Sequence, residues 1–209
     1  MKLAYGKWPL TCIAGILTFI IGNTLIIVSL ILFPGTFNMF EKTISTLGNV
    51  NHNPSGAVFL RLSNILTGIF FIAFYLGLRL WYSEDSSQIQ KHILKITIII
   101  GCLLGFAGIM VGIFSQEYRP YHLIWAVIFF TLNFSSLLMM GIFLYNYFSS
   151  LKPIVIFNFI IVLLHVTLIL VLTIDAVIFE WIVYFAINID YLLLVFYFKN
   201  IHTSEIKSI

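Results

Sequence analysis

Long apolar runs separated by short polar segments dominate this chain. Six of these runs are about 20 or more residues long, the length that an α-helix needs to cross the hydrocarbon core of a bilayer. The pattern therefore predicts an all-α fold, an integral membrane bundle of six transmembrane helices in a single domain covering residues 1–209. The predicted helices are residues 10–33, 57–80, 95–114, 122–148, 153–174 and 178–198.

Composition places most of the chain in lipid. Of its 209 residues, 61% are hydrophobic and 9% are charged, whereas charged residues make up about 25% of soluble domains. The net charge is +3 and no stripe of Lys or Arg forms, which argues against a nucleic acid partner. Cys12 and Cys102 lie inside apolar runs and are interpreted as buried packing residues. No CxxC motif and no Cys/His ligand spacing indicates a structural zinc site. No metal and no cofactor is predicted.

The basic residues predict an orientation. Eight of the eleven Lys and Arg residues fall on the side of the predicted bundle that carries both termini. They are Lys2, Lys7, Arg79, Lys91, Lys95, Lys152, Lys199 and Lys207. Because cytoplasmic loops carry the excess of positive charge, the sequence predicts a multi-pass protein of the cell membrane with both termini in the cytoplasm.

Two polar loops lie on the side of the predicted bundle opposite the termini. The first, residues 34–56, contains ISTLG followed by NVNHNP, a concentration of Gly, Asn and Pro that favours tight turns. The second reads SQEYRPYH. If the helices form one bundle, both loops cover the same mouth. Two interpretations stay open: a folded cap whose polar groups satisfy each other, and a binding surface for a polar headgroup.

The candidate ligand-binding residues are Glu41, Ser45, His52, Arg61, Glu117, Arg119 and His122, with Asp175 and Glu180 near the third outer loop as further candidates. In this hypothesis Arg61 and Arg119 contact an anionic group, and His52 and His122 hydrogen-bond to it. Two alternatives stay open for these residues: a metal held through His and carboxylates, and ordinary interfacial salt bridging, in which each pair contributes little.

Small residues mark a helix-packing face. Gly101, Gly105, Gly108 and Gly112 recur on one side of the third predicted helix. Such a flat face allows close approach of another helix, from this chain or from a partner protein in the membrane, and a lipid chain lying in the groove is the other reading.

Polar residues also occur within the predicted spans. His165 and Asp190 fall at depths that allow a pair on adjacent helices, either as a proton relay or as interhelical hydrogen bonding. Asn23, Asn133 and Asn188 are also intramembrane. A catalytic triad can be selected from Ser45, Glu117 and His122, but any polar loop allows such a selection and GxSxG is absent, so no catalytic residue is predicted.

Short motifs in the loops carry a resemblance to a known family. Ile44-Ser45-Thr46-Leu47-Gly48, then Asn53-Pro54, then Phe59 and Asn64 before Gly68, is followed later by Gly112-Ile113-Phe114 and His122. This set resembles a prokaryotic six-helix membrane family known as domain of unknown function nine-nine-eight, which is similar to the Frag/DRAM/Sfk-like membrane proteins. The resemblance implies the architecture and a matching outer surface. Thr46 stands where an acidic residue is common in that family, so the resemblance implies no acid chemistry there.

The function predicted from these observations is binding or sensing of a lipid headgroup or another amphiphile at the polar mouth, with a membrane lipid as the partner. Two alternatives remain. One is an accessory subunit of a membrane complex that uses the Gly101–Gly112 face, and the other is a membrane-embedded lipid hydrolase.

Overall fold

The computed structural model describes residues 8–81, 86–147, 152–171 and 177–207. Within these ranges the chain forms six α-helices and three short 3₁₀ segments, and no strand. The helices are α1 (Leu10–Ile31), α2 (Ala57–Gly77), α3 (Gln88–Ile113), α4 (Arg119–Tyr147), α5 (Lys152–Val171) and α6 (Val177–Lys207). The 3₁₀ segments are Ile44–Gly48, Leu78–Trp81 and Gln116–Tyr118.

Two helix ends differ from the sequence prediction. α3 begins at Gln88 and not at residue 95, because Ser87 and Gln90 form a capping box in which each side chain accepts from the other residue's backbone N–H. The polar stretch QIQKH therefore belongs to the helix. α6 continues to Lys207, past the predicted end at residue 198. The predicted helix ends at residues 148 and 174 lie outside the described residues.

The helices have the length and composition of membrane spans. In the described part of the chain five helices are long and apolar enough to cross a bilayer: Leu10–Ile31, Ala57–Leu80, Gln88–Ile113, Gln116–Asn146 and Glu180–Asn200. The described apolar part of α5, Pro153–Leu164, is shorter. Large apolar side chains such as Ile20, Ile27 and Leu163 point away from the bundle and are more than half exposed. This surface suits lipid and not water, so the protein is a multi-pass membrane protein.

The six helices form a ring in chain order. Each packs against the next, from α1 on α2 to α5 on α6, and α6 closes the ring on α1. Apart from the long segment between α1 and α2, the connections are short, as is typical of antiparallel neighbours packed side by side. A ring of six helices leaves space along its axis, and that space is filled differently in its two halves.

Aromatic and aliphatic side chains fill the half of the axis nearer the termini. Phe74 and Tyr75 of α2 pack edge to face with centroids 5.3 Å apart, and Tyr191 of α6 lies at the same distance from Phe74. Phe198 of α6 and Phe143 of α4 are also fully buried. Below we call these five residues the aromatic plug; they close the axis at this end.

The glycine face of α3 packs inside the ring. Gly68 of α2 and Gly105 of α3 cross so closely that a Cβ on either would lie 2.5 Å from the other's carbonyl oxygen. A Cβ on Gly112 would lie 2.7 Å from the carbonyl oxygen of Arg61. The face predicted for close helix packing is thus buried against α2 of the same chain, and a partner protein would have to bind another surface.

Candidate functional site

A cavity of about 140 Å³ occupies the other half of the ring axis. Residues on the inward faces of three helices contribute to its lining. They lie between Leu60 and Phe71 of α2, between His122 and Asn133 of α4, and between Glu180 and Tyr191 of α6. Each stretch covers roughly 16 Å at about 1.5 Å per residue, about half of a hydrocarbon core of roughly 30 Å. The cavity therefore runs from the loop-bearing end of the bundle to mid-depth. We call its two ends the mouth and the floor.

Two segments cover the mouth, and we call them together the cap: residues 32–56 and residues 114–118. Asn53 anchors the first. It is fully buried, and its side-chain amide donates to the carbonyl oxygen of Leu47 at 2.9 Å and to both the carbonyl and the hydroxyl oxygen of Ser29 at 3.1 Å. Its Oδ1 accepts from the backbone N–H of Gly56 at 3.1 Å. One asparagine thus joins α1, the first 3₁₀ segment and the entry to α2.

The two cap segments meet over the mouth. Asn49 donates to the side chain of Gln116 at 3.4 Å. Arg61 of α2 pairs with Glu117, and its Nε donates to the carbonyl oxygen of Gly48 at 3.2 Å. Arg61 therefore ties both segments together, and Glu117 compensates its charge.

α6 holds the cap from the other side. The buried indole of Trp181 donates to the carbonyl oxygen of Lys42 at 2.9 Å. Ser45 donates to the Glu180 carboxyl at 3.3 Å, and both residues line the cavity. The start of α6 thereby places a carboxyl group at the mouth.

His122 contributes a ring nitrogen to the same region. Its Nδ1 lies 2.7 Å from the carbonyl oxygen of Phe114. A carbonyl oxygen only accepts, so Nδ1 carries the hydrogen, and Nε2 of the neutral ring is left as an acceptor. His122 is among the residues that line the cavity.

A polar seam between α1 and α6 forms one wall. Tyr184 donates to Asn23 at 2.8 Å, and Asn23 donates to Asn188 at 2.9 Å. Glu180, Tyr184 and Asn188 recur every fourth residue, so they share the face of α6 that lines the cavity.

Two lining side chains lack the partners that their burial demands. Asn133 at the floor is fully buried, and neither its amide nitrogen nor its oxygen has a hydrogen-bond partner among the described residues. Ser115 at the mouth is 4% exposed, and its hydroxyl is likewise unpartnered within those residues. Buried polar groups are normally hydrogen-bonded, so we expect a bound water or ligand to supply the hydrogen-bond partner of each of these two side chains.

The structure divides the seven predicted ligand-binding residues into two groups. Ser45, Arg61 and His122 line the cavity, and Glu117 pairs with Arg61. Glu41, His52 and Arg119 are exposed and are not among the lining residues. Asp175 lies outside the described residues, whereas Glu180 lines the mouth.

Other lining residues were absent from that predicted set. Ser115, Gln116, Asn133, Tyr184 and Asn188 all belong to the lining. The signal that points to the deeper ones is an amide inside an apolar run, and the four-residue spacing of the polar residues on α6 strengthens it.

Asp190 lies on a different face of α6. It is fully buried, and Asn158 of α5 donates to its Oδ2 at 2.9 Å. The side chain of His165, its predicted partner, lies outside the described side chains. In the structure Asp190 is thus held by an amide between α5 and α6.

The candidate triad does not form a hydrogen-bonded relay among the described contacts. Ser45 donates to Glu180, Glu117 pairs with Arg61, and His122 contacts the Phe114 carbonyl oxygen. Within the described residues no group of three His, Cys, Asp or Glu side chains is arranged to hold a metal ion.

The fold and site define a class: a multi-pass helical membrane protein with a capped, half-depth cavity. The family described as Protein of unknown function (DUF998) matches residues 12–197, nearly the whole chain. The chain belongs to this family. No curated protein and no solved structure matches it.

Proposed function

We propose that the protein binds a membrane amphiphile inside the ring, with the cavity as the binding site and the cap as its cover. The single observation that carries the proposal is the cavity itself. It lies between helices whose outer surfaces face lipid, and its lining combines hydrogen-bonding groups with apolar side chains. Binding sites for small molecules typically have this mixture.

The size of the cavity supports a ligand larger than one water molecule. Its volume of about 140 Å³ is on the order of ten times the roughly 10–15 Å³ that one water requires on the same measure. The depth of roughly 16 Å at about 1.5 Å per residue accommodates part of an extended amphiphile chain. Apolar lining residues such as Ile26, Phe71 and Phe129 suit such a chain.

A pair of adjacent alanine and valine positions tests this function. Ala126 lines the cavity, whereas the next residue, Val127, is 51% exposed on the outside of α4. Ala126→Phe puts a ring into the cavity and is expected to abolish bound amphiphile, measured by native mass spectrometry and lipid extraction after purification in detergent. Val127→Phe puts the same ring into surrounding lipid and is expected to change nothing.

Two outcomes would count against the proposal. One is wild-type protein, purified from cells or reconstituted with a lipid extract, that carries no amphiphile. The other is folded Ala126→Phe protein that retains as much as wild type. Ala126→Leu serves as the milder variant if the phenylalanine prevents folding.

We further propose that the protein lies in the cell membrane, that α5 completes six crossings, and that the cap is extracytoplasmic with both termini inside. The distribution of Lys and Arg supports this orientation. His52 is exposed on the cap, and the native thiols lie within helices. A cysteine at position 52 is expected to react with a membrane-impermeant maleimide in intact cells, and protection until the cells are opened would reverse the orientation.

The two alternative functions gain no specific observation. The contacts of Ser45, Glu117 and His122 give the hydrolase alternative no support. The glycine face offered for a partner protein is covered by α2. Amphiphile binding is therefore the proposal that we retain.

A further inference from the structure

We infer that the cavity selects an uncharged, hydroxyl-bearing amphiphile over an anionic one. This inference rests on the proposed function, because it names the ligand class of the same site. It departs from the sequence-based expectation that two arginines hold an anionic group.

The charges around the cavity do not favour an anion. Arg61 is the one Lys or Arg side chain in its lining as far as the chain is described, and it is already paired with Glu117. Arg119 is exposed and does not contribute to the lining. An anionic headgroup would have to compete with the Glu117 carboxylate for Arg61. Like charges brought together in a site that excludes water oppose binding strongly.

The mouth presents acceptors that need donors. The Glu180 carboxyl accepts from Ser45, and His122 keeps Nε2 as an acceptor because Nδ1 is used by the Phe114 carbonyl oxygen. The hydroxyl of Ser115, which both donates and accepts hydrogen bonds, is unpartnered within the described residues. A ligand hydroxyl donates a hydrogen bond to such acceptors, whereas a fully ionised phosphate has no hydrogen to donate.

The polar side chain at the floor also favours an uncharged, hydroxyl-bearing ligand. The amide nitrogen of Asn133 carries two N–H donors and its oxygen is an acceptor, and both atoms are unpartnered in the described part of the chain. A hydroxyl group is able to bond to either atom, since it donates one hydrogen bond and accepts others. An anionic oxygen satisfies the amide nitrogen and leaves the amide oxygen without a donor. Asn64 and Asn188, which also line the cavity, are neutral as well.

A pair of probes that differ in one group gives the sharpest test. 1-Oleoylglycerol and 1-oleoyl-lysophosphatidate share the chain and the glycerol, and a phosphate replaces one hydroxyl in the second. Wild-type protein in nanodiscs of phosphatidylcholine is expected to bind 1-oleoylglycerol at least about tenfold more tightly, equal to about 1.4 kcal/mol. Native mass spectrometry at graded mole fractions of each probe measures the ratio.

Variants then connect the preference to the cavity. Asn133→Leu and Ser115→Ala each remove an unpartnered polar group, so neither is expected to lower the thermal stability of the protein. At least one is expected to weaken 1-oleoylglycerol binding by about fivefold or more, as the loss of a hydrogen bond worth about 1 kcal/mol requires. Weaker binding in Asn133→Leu places a ligand hydroxyl at the floor, and weaker binding in Ser115→Ala places it at the mouth. Thr131→Val, on the exposed side of α4, is the control and is expected to bind like wild type.

The outcomes separate the two proposals. Tighter binding of 1-oleoyl-lysophosphatidate, or equal binding of both probes, overturns the ligand class and leaves amphiphile binding standing. Unchanged 1-oleoylglycerol binding in both variants also overturns the class. Failure of the wild type to bind either probe or any lipid from a cell extract overturns both the class and the function.

Discussion

Adding one methyl group at the closest helix crossing is expected to carry a steric cost. A Cβ on Gly105 would lie 2.5 Å from the carbonyl oxygen of Gly68 and 3.0 Å from the backbone nitrogen of Ile72. Ordinary contact begins at 3.4 Å, so the two backbones would have to separate by about 0.9 Å along that line. Such overpacking costs about 1–3 kcal/mol in well-packed interiors.

The neighbouring Gly108 supplies a matched control. A Cβ there would lie 3.4 Å from the ring of Phe129 and 3.6 Å from Cα of Gly68, both within the range of ordinary contact. Gly108→Ala and Gly105→Ala make the same change in the middle of the same helix, and each gains about 1 kcal/mol of helix propensity. The difference between the two variants therefore isolates the steric cost, and we expect about 1–3 kcal/mol.

Equilibrium unfolding measures this difference. Mixed micelles with increasing sodium dodecyl sulfate, followed by far-ultraviolet circular dichroism, give the free energy of unfolding of each variant. Gly105→Ala is expected to unfold at lower detergent fraction than the wild type or with little net change, and always before Gly108→Ala. Equal free energies for the two variants would show that α2 and α3 do not cross at Gly68 and Gly105.

Two further predictions concern buried amides. Asn53→Asp replaces an amide that donates to Ser29 and Leu47 by a carboxylate that has no hydrogen to donate, so it is expected to lower the free energy of unfolding by about 1–3 kcal/mol. A control Asp at an exposed cap position is expected to leave the free energy of unfolding unchanged. Equal effects of the two substitutions would refute the role of Asn53. Asn158→Leu removes the donor to Asp190 and is expected to lower the free energy of unfolding by about 1–3 kcal/mol. The double variant with Asp190→Leu is expected to recover most of this loss, since removing both partners of a hydrogen bond is nearly neutral. Additive losses of the two substitutions in the unfolding assay would contradict this pairing.

The sequence reveals the helical membrane class because hydropathy is a local property. Six apolar runs indicate helices without knowledge of their neighbours. The same locality explains the error at α3, where Gln, Lys and His lower the hydropathy of a helical turn that Ser87 and Gln90 cap. α6 extends past its predicted end for the same reason, since the helix continues through polar residues beyond the apolar run.

The candidate site required information that hydropathy does not contain. Glu117 and Arg119 stand two positions apart, yet the first pairs with Arg61 and the second is exposed. Which of the two faces inward depends on where α4 begins and how it is rotated in the ring. The contact between Arg61 and Glu117 joins residues 56 positions apart, and no pattern within one segment specifies it.

The ring axis holds a cavity in one half and the aromatic plug in the other, and this arrangement helps to distinguish ligand binding from transport. Below the floor, the side chains of the aromatic plug and its aliphatic neighbours Leu137 and Met140 are fully or almost fully buried. Interiors of this kind are close-packed, and opening a passage through them would expose several aromatic contacts, each worth about 0.5–1.5 kcal/mol beyond its buried area. A transporter must open its site to both sides in turn, and its site typically lies where helices are broken. Here α2, α4 and α6 run unbroken past the floor. The aromatic plug therefore closes the cavity at mid-depth, and this arrangement supports the proposal of binding or sensing over passage through the bundle.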